Sequence, residues 1–573
     1  MPAKTSLVLT AATIALVAWA VSGESPPTVP SDVTPVAGDT IGRTVAPSQS
    51  GAVTVAQATN TPPGAPPAAA PSAQVTTPPA VPVPPAAVTQ IPNAAAPIAP
   101  APTAAAPNTP ATAPVGPSQV APAAVQSTTP APQAASPAAP VPPTASPAPV
   151  DSAKPAVPKT VAVTASNVIF FHPDGTGLNH WNALRTLTKG PDGALEWDAL
   201  PSMAVYSGHM SNALAGTSNG GATIHAYGVK VAARSFGLDG ETPIVAASGK
   251  PASIVQEALA SGRATGLVQT GHIAEPGTAA FIASVKKRSE YTEIARQVVQ
   301  SGVPVILGGG EAMLLPKGIA GRHGDGMRED GLDLIQWAKG SGYTVVYTRQ
   351  ELAALDLSKI DKLLGVFARW NTFSDKTEEE NAREGLGHYL SSAPTVAEMS
   401  SAALQILSRS KDGFLLVVEE EGTDNMANNN NASGTLEALR RADEAVGVLH
   451  RHVKDNPNTL LLMAADSDAG GMQLIGPGPG REMEPGKPLP ATSKNGSPAD
   501  GVTGTGGVPF LSAPDAKGQR WPFAITWATE NDVHGGILVR AAGKNADKVK
   551  GRLDNTGIYR IMYETLFDRP IGN

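Results

Sequence analysis

Between Arg43 and Asp151 the chain contains no Asp, Glu, Lys or Arg, and from about Glu24 to Pro158 it consists mostly of Ala, Pro, Thr, Val and Gln. A stretch like this cannot bury a core. Frequent proline removes backbone donors and fixes φ, so the expected state of residues 24–160 is a disordered Ala/Pro-rich spacer, extended and partly polyproline II. No fixed period marks it as a solenoid. It either spaces a domain from an envelope surface or is neutral filler. Most of the chain's 55 Pro fall in this stretch, and folding is confined to 161–573.

The N-terminus opens with one Lys and then the apolar run LVLTAATIALVAWA, in which Ala18-Trp19-Ala20 gives the small-x-small pattern of a cleavage site. Residues 1–23 therefore read as a signal peptide, and the protein as exported, periplasmic or extracellular. An uncleaved run would leave it anchored in a membrane. The formal net charge is −7 and only 16% of residues are charged, which argues against a nucleic-acid-binding protein. The 4% aromatic content offers little for base stacking. There is no cysteine, so thiolate metal sites, cysteine nucleophiles and disulfides are excluded. Any metal must use His, carboxylate, amide or hydroxyl ligands.

Within 161–573, short continuous apolar runs alternate with helical patterns. The runs are VIFF (168–171), VPVILGGG (303–310), YTVVY (343–347), FLLVV (414–418) and TLLLMAAD (459–466). The helical patterns lie at 290–302, 331–342, 395–410 and 432–453. Buried parallel strands give such runs, so the expected fold is α/β, a three-layer α/β/α sandwich with a central, mainly parallel sheet. Ligands bind outside the carboxyl ends of strands in these sheets. Three of those ends are acidic: Asp174 follows the first run, Glu419 and Asp424 follow FLLVV, and Asp466 and Asp468 follow the last. Three acidic strand ends in one sheet repel one another unless cations sit between them.

NVIFFHPDGTG, TSNGGATIHAYGVK, ILGGGEAML, DGLDLIQWAKGSGYTVV, the V-E-x-x-x-x-D stretch and A-D-x-x-x-G-G occur in one order that resembles the alkaline phosphatase family of metal-dependent phosphomonoesterases. The resemblance covers nearly all of 165–573. It implies an alkaline phosphatase-like catalytic domain acting on small phosphate monoesters, with zinc and magnesium as cofactors. Aligning Gly228-Val229-Lys230 puts Ser218 at the nucleophile, and a slip of one residue would put Thr217 there. A serine opening a helix meets a positive dipole end that favours phosphate. Attack by Ser218 would give a phosphoserine that water hydrolyses.

The same resemblance implies a metal ligand set. Asp174, Ser218 and Asp466 would hold one zinc, Asp424 and His534 the other, and Asp174 with Glu419 a magnesium. In HIAEPGTAAFIASVKKRSEYTEIA it places the phosphate-binding arginine at Arg288, leaving Lys286 and Lys287 at the surface. A guanidinium holds two phosphate oxygens at once, which an ammonium cannot do.

The chain departs from the family at several ligand positions. Asn428 and Ser467 stand where it has histidines, Gly277 stands where the magnesium site has Thr or Ser, and Glu275 replaces Asp or His there while remaining a potential ligand. Carboxylate and carbonyl oxygens suit magnesium, calcium or manganese better than zinc, so calcium or manganese enters alongside zinc and magnesium. A register shift would offer Asn429, Asn430 or Asn431 instead, although an irregular loop capping the next helix is the preferred reading of that run. Glu420 and Glu421 read as exposed charges or as extra ligands. Phosphodiesterase or sulfatase-like chemistry, or a catalytically silent homologue that binds metal or phosphate, remains open on the same scaffold. Envelope association through the N-terminal segment and a homodimer are both compatible with the resemblance, but no stretch identifies an interface.

Overall fold

The structure is a computed structural model, and it describes residues 165–571. The signal peptide (1–23) and the Ala/Pro-rich spacer (24–160) lie outside the described residues. Ten strands form the central sheet: β1 (Asn167–Pro173), β2 (Ser202–Ser207), β3 (Ala264–His272), β4 (Val305–Gly309), β5 (Thr344–Val346), β6 (Leu363–Val366), β7 (Phe414–Glu420), β8 (Thr459–Met463), β9 (Leu538–Gly543) and β10 (Lys550–Asp554). Their spatial order is β10-β2-β9-β8-β1-β7-β3-β4-β6-β5. β9 runs antiparallel to both of its neighbours, and every other pairing is parallel.

The flanking helices that matter here are α1 (Leu178–Lys189), α2 (Ser218–Tyr227), α3 (Ile254–Ala260), α4 (Tyr291–Gln300), α5 (Val396–Leu407), α6 (Gly422–Asn428), α7 (Ala432–Asp455) and α8 (Asn555–Phe567). Successive strand side chains point to opposite faces. Val168 and Phe170 of β1 therefore pack with α2, α3, α4 and α8 on one face. Ile169 and Phe171 pack with α1, α5 and α7 on the other. The result is the expected three-layer sandwich. Because both faces are covered, β1, β7 and β8 are apolar without alternation.

The five apolar runs are β1, β4, β5, β7 and β8, and the four helical patterns form helices at 291–300, 334–340, 396–407 and 432–455. β3 escaped the sequence reading because its buried residues include Thr265, Gln269, Thr270 and His272, which break the apolar run. β2, β6, β9 and β10 also carry no long apolar run.

Register brings the strand ends together. His172 pairs with Glu419 and Pro173 with Glu420 between β1 and β7, and Gln269 pairs with Glu419 between β3 and β7. The Asp174 amide donates to the Glu420 carbonyl at 3.2 Å. Glu420 itself is not exposed: it is fully buried, and its Oε1 lies 3.2 Å from Arg441 Nη2 and 3.1 Å from Thr270 Oγ1. Arg441, on α7, is also buried, with its guanidinium 4.1 Å from the centroid of the Tyr389 ring. This pair ties α7 to the strand end that carries the other glutamates. Replacing Arg441 by Leu leaves a buried carboxylate unpaired, so denaturant unfolding should show a loss of about 3–5 kcal/mol.

Candidate metal centre

The acidic strand ends meet at one place on the carboxyl edge of the sheet. Asp174 is completely buried, and its Oδ1 accepts from the Gly175 amide at 2.8 Å. It belongs to two ligand groups, His172–Asp174–Glu419 and Asp174–Glu421–Asp424, in each of which one donor atom per residue lies within 4.8 Å of the others. One shared carboxylate between two groups is the arrangement of a bridging ligand. Both oxygens of Glu419, Glu421 and Asp466, together with Asp174 Oδ2 and Ser467 Oγ, are buried without a hydrogen-bond partner. Buried polar atoms of native proteins are satisfied. A cluster of orphaned carboxylate oxygens around a shared aspartate fits divalent cations, which would supply the missing positive charge.

Gly277, one of the departures from the family pattern, has a steric reason. A Cβ there would lie 1.6 Å from Glu419 Oε1, so the absence of a side chain is what lets this carboxylate occupy the space. Gly221 does the same for Asp466, whose Cβ would be 2.3 Å from an added Cβ.

His172 was not singled out in the sequence, since it lies inside the apolar opening strand. Its Nε2 is 3.1 Å from Asp174 Oδ1 and its Nδ1 is 2.8 Å from the Ala464 carbonyl oxygen. Burial alone would lower its pKa, but Asp174, Asp466 and Glu419 raise it to about 10. Asp174 is correspondingly held low against its burial by the same histidine. Glu419 is pushed up to about 8 by burial and by the charges of Asp174 and Glu275. Burial and neighbouring carboxylates also raise Glu421, Asp424 and Asp466.

Ser218 is the first residue of α2, 4% exposed, and its hydroxyl lies within hydrogen-bonding reach of Asp174. Thr217 is the N-cap: its Oγ1 accepts from the Gly220 amide at 3.3 Å and donates to the Ala233 carbonyl. Both bonding roles of the threonine are spent on the backbone.

Arg288 stands at the rim, its Nη2 2.5 Å from Glu275 Oε2 and 3.8 Å from Glu421 Oε1. Against its burial, Arg288 and His272 hold Glu275 down to about 2. Lys286 lies at the surface, paired with Glu241. Glu421, far from being exposed, is completely buried beside Arg288.

The remaining sequence-named ligands are less uniform. Asn428 directs its amide nitrogen to both Asp424 oxygens at 3.2 Å and to Asp532 Oδ1 at 3.0 Å, while its oxygen accepts from the Gly470 amide at 3.0 Å. Asn431 caps α7, accepting from the Gly434 amide at 2.6 Å, so the capping reading of this run holds for that residue. His534 is exposed, and among the described residues it makes no hydrogen bond or ion pair. Asp532, absent from the motif pattern, reaches the cluster. Its only signal in the sequence is its place two residues before His534.

The family profile described as Alkaline phosphatase matches residues 165–567. The chain belongs to the alkaline phosphatase family. It is 29% identical to the tissue-nonspecific alkaline phosphatase isozyme of Gallus gallus, over 53% of this chain and 63% of that protein. It is 28% identical to the membrane-bound alkaline phosphatase of Bombyx mori, over 54% of this chain and 61% of that protein. It thus spans less than two thirds of either relative. With the alkaline phosphatase of Escherichia fergusonii the identity is 26%, over 70% of this chain and 86% of that one. Among solved structures, the Thermus thermophilus alkaline phosphatase superposes with a TM-score of 0.55 at 23% identity, covering 71% of this chain and 93% of the other. The enzyme from the Antarctic bacterium TAB5 gives 0.53 at 21%, over 70% and 98%. These likenesses confirm the fold, and the family carries metal cofactors for which the buried donor set is suited. Among the described residues no helix is long and apolar enough to cross a membrane.

The pH dependence of the cation-free protein follows from these shifts. Glu419 has a folded pKa of about 8 against an ordinary 4.5, and His172 about 10 against 6.5. In both cases the folded state binds more protons than the unfolded chain, so stability falls as pH rises through these windows. After chelation the thermal midpoint should fall steadily between about pH 5 and pH 9. Added divalent cation should raise it, and more at pH 9 than at pH 6, as differential scanning calorimetry would show.

Proposed function

We propose that this family member is an exported phosphomonoesterase that hydrolyses small phosphate monoesters through a phosphoserine on Ser218. The observation that carries the reading is Ser218 at the N-terminus of α2, facing Asp174 while its neighbour Thr217 is committed to the helix cap. Asp174, Glu419, Asp424, Asp466 and Ser467 would hold the cations, while Glu275, engaged by Arg288 and His272, supports them from the rim. When bound, these ions lower the pKa of the attacking hydroxyl and shield the phosphate charge. The oxygen-rich donor set favours magnesium, manganese or calcium over zinc in at least part of the site.

The chain's own groups define the rest. Asp174 lies beside Ser218 and would accept its hydroxyl's hydrogen bond, orienting Oγ. Oγ attacks phosphorus in line; the Oγ–P bond forms as the bond to the leaving alcohol's oxygen breaks, and the alcohol departs with a proton. Amides at the start of α2 favour the phosphate oxygens. Arg288 is fixed by Glu275 through one nitrogen, leaving its other N–H donors to take two phosphate oxygens. Water then cleaves the Oγ–P bond, returning the serine and releasing inorganic phosphate. The apolar N-terminal run with its Ala18-Trp19-Ala20 site supports export.

On an aryl phosphate monoester at alkaline pH, with divalent cation supplied, Ser218→Ala should reduce turnover to background, while Thr217→Ala keeps it and lowers only the thermal midpoint. Arg288→Ala should cost about 10- to 100-fold in kcat/KM, the worth of one or two charge-assisted hydrogen bonds. Turnover retained in Ser218→Ala would sink the phosphoserine route.

A further inference from the structure

Asp532 is a carboxylate of this cluster that lies outside every motif. It lies in the two-residue strand Asp532–Val533, antiparallel to Asp468–Ala469, with Ala469 directly opposite Asp532. This pairing sets its side chain beside Asp424, within hydrogen-bonding reach of that carboxylate. Between the two stands the Asn428 amide nitrogen, 3.0 Å from Asp532 Oδ1 and 3.2 Å from each Asp424 oxygen. An amide has two N–H donors, whereas two carboxylates offer several acceptor positions each. Asn428 therefore cannot neutralise the pair, and its own oxygen is already engaged by the Gly470 amide.

A second, independent observation points to a ligand here. Asp466 is 1% exposed, both its oxygens lack a hydrogen-bond partner, His172 Nε2 stands 4.0 Å from its Oδ1, and its charge acts on both Asp424 and Asp532. Ser467, next to it and beside Asp532, is also 1% exposed, and its hydroxyl finds no backbone or amide partner. Packing three carboxylates against one another serves no structural purpose that an amide or a hydroxyl would not serve more cheaply.

We infer that Asp532 is a direct carboxylate ligand of a divalent cation shared with Asp424, and that it makes this part of the centre an all-oxygen site for a hard ion. It supplies charge at a place where Asn428 and Ser467 bring none, while His534, two residues further on, faces outward. The inference rests on the multi-metal reading of the site, but not on the substrate.

The test uses the full chain, stripped with chelator and titrated with Mn²⁺, with free Mn²⁺ followed by electron paramagnetic resonance. Asp532→Asn keeps the shape and should bind at least one Mn²⁺ ~10-fold or more weakly than wild type. Its thermal midpoint without cation should stay level or rise, because a like charge beside Asp424 is gone. That rise separates a lost ligand from a damaged fold. Asp532→His should lose Mn²⁺ affinity and gain Zn²⁺ affinity in competition. His534→Ala should weaken Mn²⁺ binding less than Asp532→Asn does. A wild-type Mn²⁺ isotherm in Asp532→Asn overturns the assignment, as does a loss confined to His534→Ala. Wild type that binds no divalent cation overturns the metal centre and the phosphatase reading together, whereas wild-type binding that survives Asp532→Asn overturns only the role of Asp532.

Discussion

The structure is organised around a concentration of negative charge that the sheet itself creates. Parallel strands deliver their carboxyl ends to one edge, and β1, β7 and the segment after β8 each end in acid. Asp174 is thereby buried within reach of Glu419 on one side and of Glu421 and Asp424 on the other, with Asp466 buried 4.0 Å from His172. Two like charges about 4 Å apart repel by about 4 kcal/mol at an effective dielectric of 20, and several such pairs would exceed the stability of an ordinary domain. The protein meets this in two ways. Protons shared with His172 and Glu419 lower the charge when no cation is present, and divalent ions would do so when they are bound.

Around that centre the neighbouring charges divide by direction. At the end of β7 the three successive glutamates face three partners: Glu419 joins His172 and Asp174, Glu420 is neutralised by Arg441, and Glu421 lies between Arg288 and the Asp174–Asp424 group. Only Glu420 is structural, since a single arginine from α7 satisfies it at the cost of burying both. Glu275 plays the corresponding part at the rim, holding Arg288 by one nitrogen while His272 holds Glu275. Glu419, Glu421 and Asp466 are left with both oxygens free of hydrogen bonds, and the supporting groups are tightly paired. That asymmetry distinguishes a site from a buried ion-pair network.

Much of the site was legible in the sequence because family motifs and strand-end acids are local features. Glu419 directly follows an apolar run, Asp466 ends one, Asp174 and Asp424 stand within six residues past theirs, and Ser218 opens a helix marked by Gly228 at its end. His172 was hidden because a single histidine in a buried strand reads as core. Asp532 was hidden because its approach to Asp424 depends on a two-residue strand pairing with a segment more than sixty residues earlier, which has no periodic signature. The partly polar strand β3 was missed for a related reason: its Gln269, Thr270 and His272 are buried by neighbours rather than by their own hydropathy.

By itself, the sequence determined where folding could occur, the layered α/β class and the order of the chemistry-bearing segments, since apolar period, charge content and motif order are properties of neighbouring residues along the chain. Tertiary structure alone decided which carboxylates share space. It turned Glu420 into an arginine-paired anchor, buried Glu421 between Arg288 and the Asp174–Asp424 group, gave Thr217 to the helix cap while leaving Ser218 at the head of the helix, exposed His534 and brought Asp532 in. The physical reason is that coulombic coupling and desolvation depend on distance and burial in space, and strand register converts sequence positions far apart into contacts of a few ångströms.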